Sequence, residues 1–186
     1  MAPRLLVSRR CPSPRMALKG QSFCCSTCPD VNVLITFYCL DGATEKLALA
    51  AAVGAVQGRA AIRLRRLDPQ PGESTTEERL NREYVAPKEA DARWADAIVV
   101  GTPERLSVSS QVLNEYFGLL RNAEVRGKLG ATIVAGGAPE ALHRAMTELG
   151  FNVVPLERAV DSVDDARLLG RRVAELAMQS KSQVLS

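Results

Sequence analysis

The run VNVLITFY, Val31 to Tyr38, constrains the fold more than any other part of the chain. It is apolar at nearly every position, is rich in β-branched and aromatic residues, and shows no alternation of apolar with polar side chains. A strand wetted on one face alternates with period two, so a run without alternation needs cover on both faces. That requirement points to an interior strand of a parallel sheet with helices above and below it. The residues that follow agree. FYCLDGATEKLA, Phe37 to Ala48, passes through Gly42 into an alanine- and leucine-rich segment that predicts a helix over 43–57. Strand, glycine turn and helix together form the layout that captures phosphate at a helix N-terminus.

The same alternation continues. AIRLRRL (Ala61 to Leu67) sets Ile62, Leu64 and Leu67 against Arg63, Arg65 and Arg66, the pattern of an edge strand with one exposed side. Its arginines are expected as solvated edge charges. Asp68 to Thr76 is a loop, Glu89 to Trp94 a short helix, and Ala97 to Gly101 a third strand, buried on both faces. TPERLSVSS (Thr102 to Ser110) is a loop and Gln111 to Arg121 a helix. Gly130 to Ala135 is a fourth strand that ends in Gly136-Gly137; a helix over 140–149 is stopped by Gly150 as C-cap. Asn152 to Pro155 is a short fifth strand, and a closing helix over 161–179 has Asp161 or Ser162 as N-cap. Five strands alternating with helices predict a doubly wound parallel α/β sheet with helices on both faces. Such a sheet takes ligands outside the carboxyl ends of its strands, at the switch point. That nominates the loops after strands one, three and four: Cys39 to Thr44, Thr102 to Ser107 and Ala135 to Pro139.

Composition narrows the function. The chain has 186 residues and a net charge of +3, but residues 1–29 carry Arg4, Arg9, Arg10, Arg15 and Lys19 without one acid. Without that +5, residues 30–186 stand at −2, so the body lacks the basic stripe that nucleic-acid binding needs. No run approaches the roughly 18 consecutive apolar residues of a membrane helix, and no membrane span is expected. Cys25-Ser-Thr-Cys28 is a CxxC, yet a second cysteine pair is missing and His143 is the one histidine, so a four-ligand metal site is not expected. Free thiols fit a reducing, cytoplasmic setting. The basic head, residues 1–30, is expected to be disordered and to take no part in the fold. It is either a transit-type peptide or an extension upstream of Met16. The folded domain is expected over 31–182.

At the nominated loops the sequence resembles a known family: the flavodoxin-like superfamily, and within it the WrbA-type NAD(P)H:quinone oxidoreductases and related NADPH-dependent FMN reductases. Phe37-Tyr38-Cys39-Leu40-Asp41-Gly42-Ala43-Thr44-Glu45 follows that family's strand–phosphate-loop–helix segment without a gap. DAIVVGTPERLSVSSQVLNEYF (Asp96 to Phe117) is similar to its segment with a Gly-Thr-Pro-x-Arg core. RGKLGATIVAGGA (Arg126 to Ala138) and ELGFNVVP (Glu148 to Pro155) are similar to its fourth and last strands. The resemblance implies a five-stranded sheet of order 2-1-3-4-5 and an FMN site at its carboxyl edge. Cys39, Leu40, Asp41, Gly42, Ala43 and Thr44 would hold the phosphate. Thr102, Pro103, Glu104 and Arg105 would line the flavin ring, and Ala135, Gly136, Gly137 and Ala138 would close its other side. It also implies NAD(P)H as co-substrate, a quinone as electron acceptor, and a homo-oligomer.

The loop also departs from that pattern. Flavodoxin phosphate loops typically read Thr/Ser-x-Thr-Gly-x-Thr, and here the series is Cys39-x-Asp41-Gly42-x-Thr44. A thiol is a weak hydrogen-bonding group. A carboxylate about 4 Å from a phosphate opposes it by a few kcal/mol at an effective dielectric near 20. Leu106 stands where the family commonly has an aromatic residue, Tyr116 and Phe117 fall on a helix as expected core, and His143 is expected at the surface. Two further readings therefore stand beside the enzyme: a flavodoxin-like interaction or regulatory module with weak or lost FMN binding, and an electron-transfer flavodoxin. The latter are usually strongly acidic, which a body charge of −2 does not match.

Overall fold

The computed structural model describes residues 30–39, 42–67, 79–80, 82–155 and 160–184. The basic head with Cys11, Cys24, Cys25 and Cys28, the loop residues Leu40 and Asp41, and the loop expected over 68–76 lie outside the described residues.

Strand β1 (Val31–Phe37) is the hub, because its sequence leaves it no exposed face. Val33, Leu34, Ile35 and Phe37 have no solvent exposure. Val31, Val33, Ile35 and Phe37 pack with α1 (Ala43–Gln57) and α5 (Val163–Val184). Leu34 faces the opposite layer, made by α2 (Glu89–Trp94), α3 (Gln111–Asn122) and α4 (Glu140–Glu148). β2 (Ala60–Arg66) and β3 (Ala97–Pro103) flank β1, followed outward by β4 (Leu129–Ala135) and β5 (Asn152–Val153). All pairings are parallel and the order is β2-β1-β3-β4-β5, the order expected from the sequence. The chain leaves β1 toward β2 and returns to β3, so the switch point lies at the carboxyl ends of β1 and β3. No helix among the described residues is long and apolar enough to cross a membrane.

The glycine at the end of α4 behaves as its position suggested. Gly150 has φ 89°, its N–H donates to Thr147 O at 2.9 Å, and the Phe151 N–H donates to Met146 O at 3.2 Å. These two bonds are the Schellman pair that closes a helix. Ser162 caps α5, its Oγ accepting the Asp165 N–H at 3.1 Å.

One feature differs from expectation. The β2 arginines are not free edge charges: Arg63 and Arg65 are paired and only partly exposed. Asp91, on α2, receives Arg63 at 2.9 Å and both Nε and Nη2 of Arg65 at 2.9 and 3.0 Å. The Arg63 guanidinium lies 4.1 Å over the Trp94 ring, and Arg66 is only 2% exposed. An acidic residue one layer away recruits the arginines inward, and Ile62 is left exposed instead. At the crossing of α1 and α5 the two backbones are in contact. A Cβ on Gly54 would overlap the Arg167 carbonyl oxygen and lie 2.8 Å from its carbon; one on Gly170 would overlap the Ala51 carbonyl. Mid-helix glycine costs about 1 kcal/mol relative to alanine. Here it lets two backbones touch.

Candidate functional site

The site grows from the carboxyl end of β1. The Tyr38 N–H donates to Gly101 O and the Leu67 N–H to Phe37 O, both at 2.8 Å, so β2, β1 and β3 are bonded to their ends. Cys39 is fully buried, and its Sγ accepts the Gly42 N–H at 3.1 Å. Gly42 then turns the chain with φ 87° and ψ −9°. A Cβ there would meet nothing within 4 Å, so it is the left-handed backbone and not crowding that asks for glycine. α1 begins at once. Thr44, its second residue, points its methyl toward Gly101, where a Cβ would come within 3.3 Å of Thr44 Cγ2. The Thr44 hydroxyl is buried and has no hydrogen-bond partner among the described residues. Leaving a buried donor unpaired costs roughly 1–3 kcal/mol. It stands at the first turn of a 15-residue helix, where backbone N–H groups lack intrahelical acceptors and the helix dipole favours an anion.

Glu45 follows. Its carboxylate accepts Arg79 Nη2 at 2.6 Å and Nη1 at 3.2 Å, and the Tyr84 hydroxyl at 2.8 Å. The hydrogen bond from Arg79 holds the Glu45 carboxyl below the usual carboxylate range against the opposing pull of burial. Burial, then the bond to Glu45, push the Tyr84 phenol well above its ordinary value. Tyr84 in turn stands edge-on to Phe37, centroids 5.0 Å apart. Sequence reasoning missed Arg79 and Tyr84. They reach Glu45 from beyond a long polar stretch, and no local pattern marks them.

The loops after β3 and β4 meet beside this turn. Thr102 and Pro103 are the last residues of β3, not loop as expected, and pair with Val134 and Ala135. The Glu104 N–H donates to Ala135 O at 3.1 Å, which ties the two loops together. The Glu104 side chain lies on the glycine pair. A Cβ on Gly137 would stand 2.5 Å from Glu104 Cγ, and one on Gly136 (φ 78°) 3.9 Å from Oε2. Arg105 and Ala138 are exposed. Thus Gly42, Ala43 and Thr44 stand at the end of β1, and Thr102 to Arg105 and Ala135 to Ala138 at the ends of β3 and of β4 beside it. Leu40 and Asp41 lie outside the described residues. A cavity of about 630 Å³ adjoins the β3 and β4 loops on the α3–α4 side, with Thr102, Glu104, Leu106, Phe117, Ala138 and Leu142 in its lining. Tyr116 and Phe117 are core residues, 3% and 4% exposed. Burial raises the Tyr116 phenol, whose hydroxyl shares a hydrogen bond with Thr36 at 3.1 Å. His143 is half-buried on α4.

No family model matches the chain. In sequence it is similar to proteins named NAD(P)H dehydrogenase (quinone). That of Archaeoglobus fulgidus is 29% identical, covering 78% of this chain and 97% of the relative. That of Brucella ovis is 26% identical, covering 78% and 96%. Among solved structures it is similar to a flavodoxin from the domain Archaea (TM-score 0.59, 16% identity), with 78% of this chain and 98% of that one covered. It is also similar to the two-electron reduced flavodoxin of Megasphaera elsdenii (TM-score 0.57, 18% identity), with 77% and 98% covered. At such identities the structural likeness concerns the fold, which is flavodoxin-like.

Proposed function

We infer that this flavodoxin-like chain is an FMN-dependent oxidoreductase of the NAD(P)H:quinone reductase kind. The observation that carries the reading is the Thr44 hydroxyl: buried, without a partner among the described residues, and set at the first turn of α1 directly after a left-handed glycine. That arrangement fits a phosphate. The similarity to NAD(P)H dehydrogenases (quinone) over most of both chains supports the same reading.

In this reading FMN, when bound, supplies the two-electron hydride chemistry. The chain supplies binding and orientation. Gly42, Ala43 and Thr44, with Leu40 and Asp41 of the same loop, hold the phosphate at the start of α1. Cys39 shapes that loop by accepting the Gly42 amide. Thr102, Pro103, Glu104 and Arg105 on one side and Ala135 to Ala138 on the other frame the ring. NAD(P)H is the electron donor and a quinone the acceptor. The chain is proposed to act as a homo-oligomer. Leu49, Val53 and Val56 form one stripe of α1 and are 42%, 50% and 55% exposed, an apolar surface that a second copy would cover.

Titration of the purified chain with FMN tests the reading, followed by NAD(P)H oxidation with benzoquinone as acceptor. Saturable FMN binding and quinone-dependent NAD(P)H oxidation are expected. A colourless protein that shows neither FMN binding nor a rise in melting temperature with excess FMN overturns it. One observation favours the competing module reading, in which FMN binding has been lost: Glu104 already lies across Gly136 and Gly137, where the ring loops must part. The same titration decides between them.

A further inference from the structure

We propose that Arg79 sets the charge of the phosphate subsite, and with it the preference for FMN over riboflavin, by neutralising the Glu45 carboxylate at the start of α1. The inference rests on the FMN reading above. Gly42 precedes α1, and Glu45 is the third helical residue. A carboxylate in a first turn interacts with the same dipole and amides that a ligand phosphate needs. Left alone, Glu45 would place a negative charge beside the dianion, and its side chain is only 10% exposed, so water screens it little. Arg79 removes that obstacle. Its two terminal nitrogens grip the two carboxylate oxygens at 2.6 and 3.2 Å, a forked pairing that fixes the guanidinium in place. Tyr84 adds the third bond at 2.8 Å, and its ring is held edge-on against Phe37 of β1, so the cluster is tied to the strand that leads into the phosphate turn. Arg79 also bonds Glu83 at 2.6 Å, one helical turn on and half exposed to solvent.

The second observation is independent of charge. The Thr44 hydroxyl, one residue before Glu45, is fully buried and has no partner among the described residues. An acceptor supplied by a ligand would satisfy it. The carboxylate next to it has all its oxygens engaged by Arg79 and Tyr84, and so is turned away from that role. The two neighbours divide the work: Thr44 offers a donor, and Glu45 is kept from opposing the anion that would accept from it.

Riboflavin carries the same ring and ribityl chain as FMN but ends in a neutral hydroxyl. Its affinity is blind to the charge at the start of α1, so the ratio of the two dissociation constants isolates the proposed effect from any general loosening of the fold. The experiment titrates FMN and riboflavin into the full chain by flavin fluorescence, for wild type, Arg79→Met, Arg79→Lys, Glu45→Gln and the Glu45→Gln/Arg79→Met pair. Arg79→Met is expected to weaken FMN about tenfold, the order for one unit charge acting on a dianion a few ångströms away at a partly screened site. Riboflavin affinity should hold, and the difference should shrink in high salt. Arg79→Lys should restore most of the loss, Glu45→Gln should tighten FMN, and the pair should return close to wild type. An FMN-to-riboflavin ratio that stays put in Arg79→Met and in Glu45→Gln, while wild type binds FMN, overturns this inference alone. Wild type that binds neither flavin overturns the FMN reading and this inference with it.

Discussion

Alanine at Gly54 or Gly170 puts a methyl group where the backbones of α1 and α5 touch. The added Cβ at Gly54 overlaps the Arg167 carbonyl oxygen, lies 2.8 Å from its carbon and 3.0 Å from Arg171 N; at Gly170 it overlaps the Ala51 carbonyl oxygen and lies 2.8 Å from Ala51 Cα. Each obstacle is main chain, which cannot rotate away as a side chain would, so the helices must separate. Separation loosens Ala51, Ala55 and Ala174, all of which now have no solvent exposure. Overpacking of this kind costs about 1–3 kcal/mol, and the backbone clash argues for the upper end. Against it stands about 1 kcal/mol of helix propensity gained. A net loss of about 2 kcal/mol remains, or roughly 4–8 °C in melting temperature for a domain of this size. Gly118 provides the control. It also sits inside a helix, α3, but a Cβ there meets nothing within 4 Å, so Gly118→Ala keeps the propensity gain and is expected to melt higher. Thermal melts followed by far-ultraviolet circular dichroism read all three. The Gly54→Ala/Gly170→Ala pair should lose less than the sum of its parts, since one separation relieves both clashes. Melting of Gly54→Ala and Gly170→Ala at or above wild type, in step with Gly118→Ala, would refute the reasoning.

Thr44→Val keeps the methyl against Gly101 and deletes the hydroxyl, which has no partner among the described residues. The chain without ligand should melt no lower than wild type, whereas FMN should bind more weakly. Asp91→Asn breaks the pairing with Arg63 and Arg65 and should cost about 2 kcal/mol near neutral pH. Burial alone would raise the Asp91 carboxyl, but the bonds from Arg65, the Lys88 N–H and Arg63 hold it below its ordinary value. A folded value below the unfolded one means the stabilisation is complete above about pH 4 and is lost as pH falls through the folded value. Denaturant midpoints of wild type and Asp91→Asn should therefore converge in acid and separate above about pH 4. Gly42→Ala forces an alanine to φ 87° and should cost about 1–2 kcal/mol, while Gly42→Asn, which tolerates that region better, should cost less in the same denaturant titration.

The sheet was legible because burial on both faces leaves a mark in a single segment. Val31 to Phe37 could be assigned to the interior without any partner in view, and Gly150 could be assigned to a helix end because the left-handed cap is a local demand. What stayed hidden depends on residues far apart in the chain. The alternation of β2 predicted solvated arginines, yet Asp91, 26 residues beyond Arg65, draws two of them onto the neighbouring layer. No local pattern announces the crossing of α1 and α5, where Gly54 and Gly170 each make room for the other helix's backbone. Thr102 and Pro103, assigned to the loop from sequence, close the strand instead. At the last position of β3 proline costs nothing, since the next bond in the ladder is donated by Glu104.

The phosphate turn shows most clearly how one residue reads differently in sequence and in structure. Cys39 counted there as a lost hydroxyl. In the fold its sulfur is an internal acceptor, buried and bonded to the Gly42 amide, which sets the glycine that starts α1. Sulfur accepts weakly, so this bond yields that amide to a competing phosphate oxygen more readily than a hydroxyl or carboxylate acceptor would. The buried hydroxyl proposed to meet the ligand is supplied five residues later by Thr44. Glu45, the third residue of α1, is matched by Arg79 and Tyr84 from outside the motif. Of the two departures noted in the turn, the thiol shapes the loop without blocking it and Asp41 lies outside the described residues, while the neighbouring Glu45 carboxylate is paired by residues no phosphate-loop pattern contains. In the proposed FMN site, affinity for the dianion would therefore draw on that distant arginine as well as on the loop.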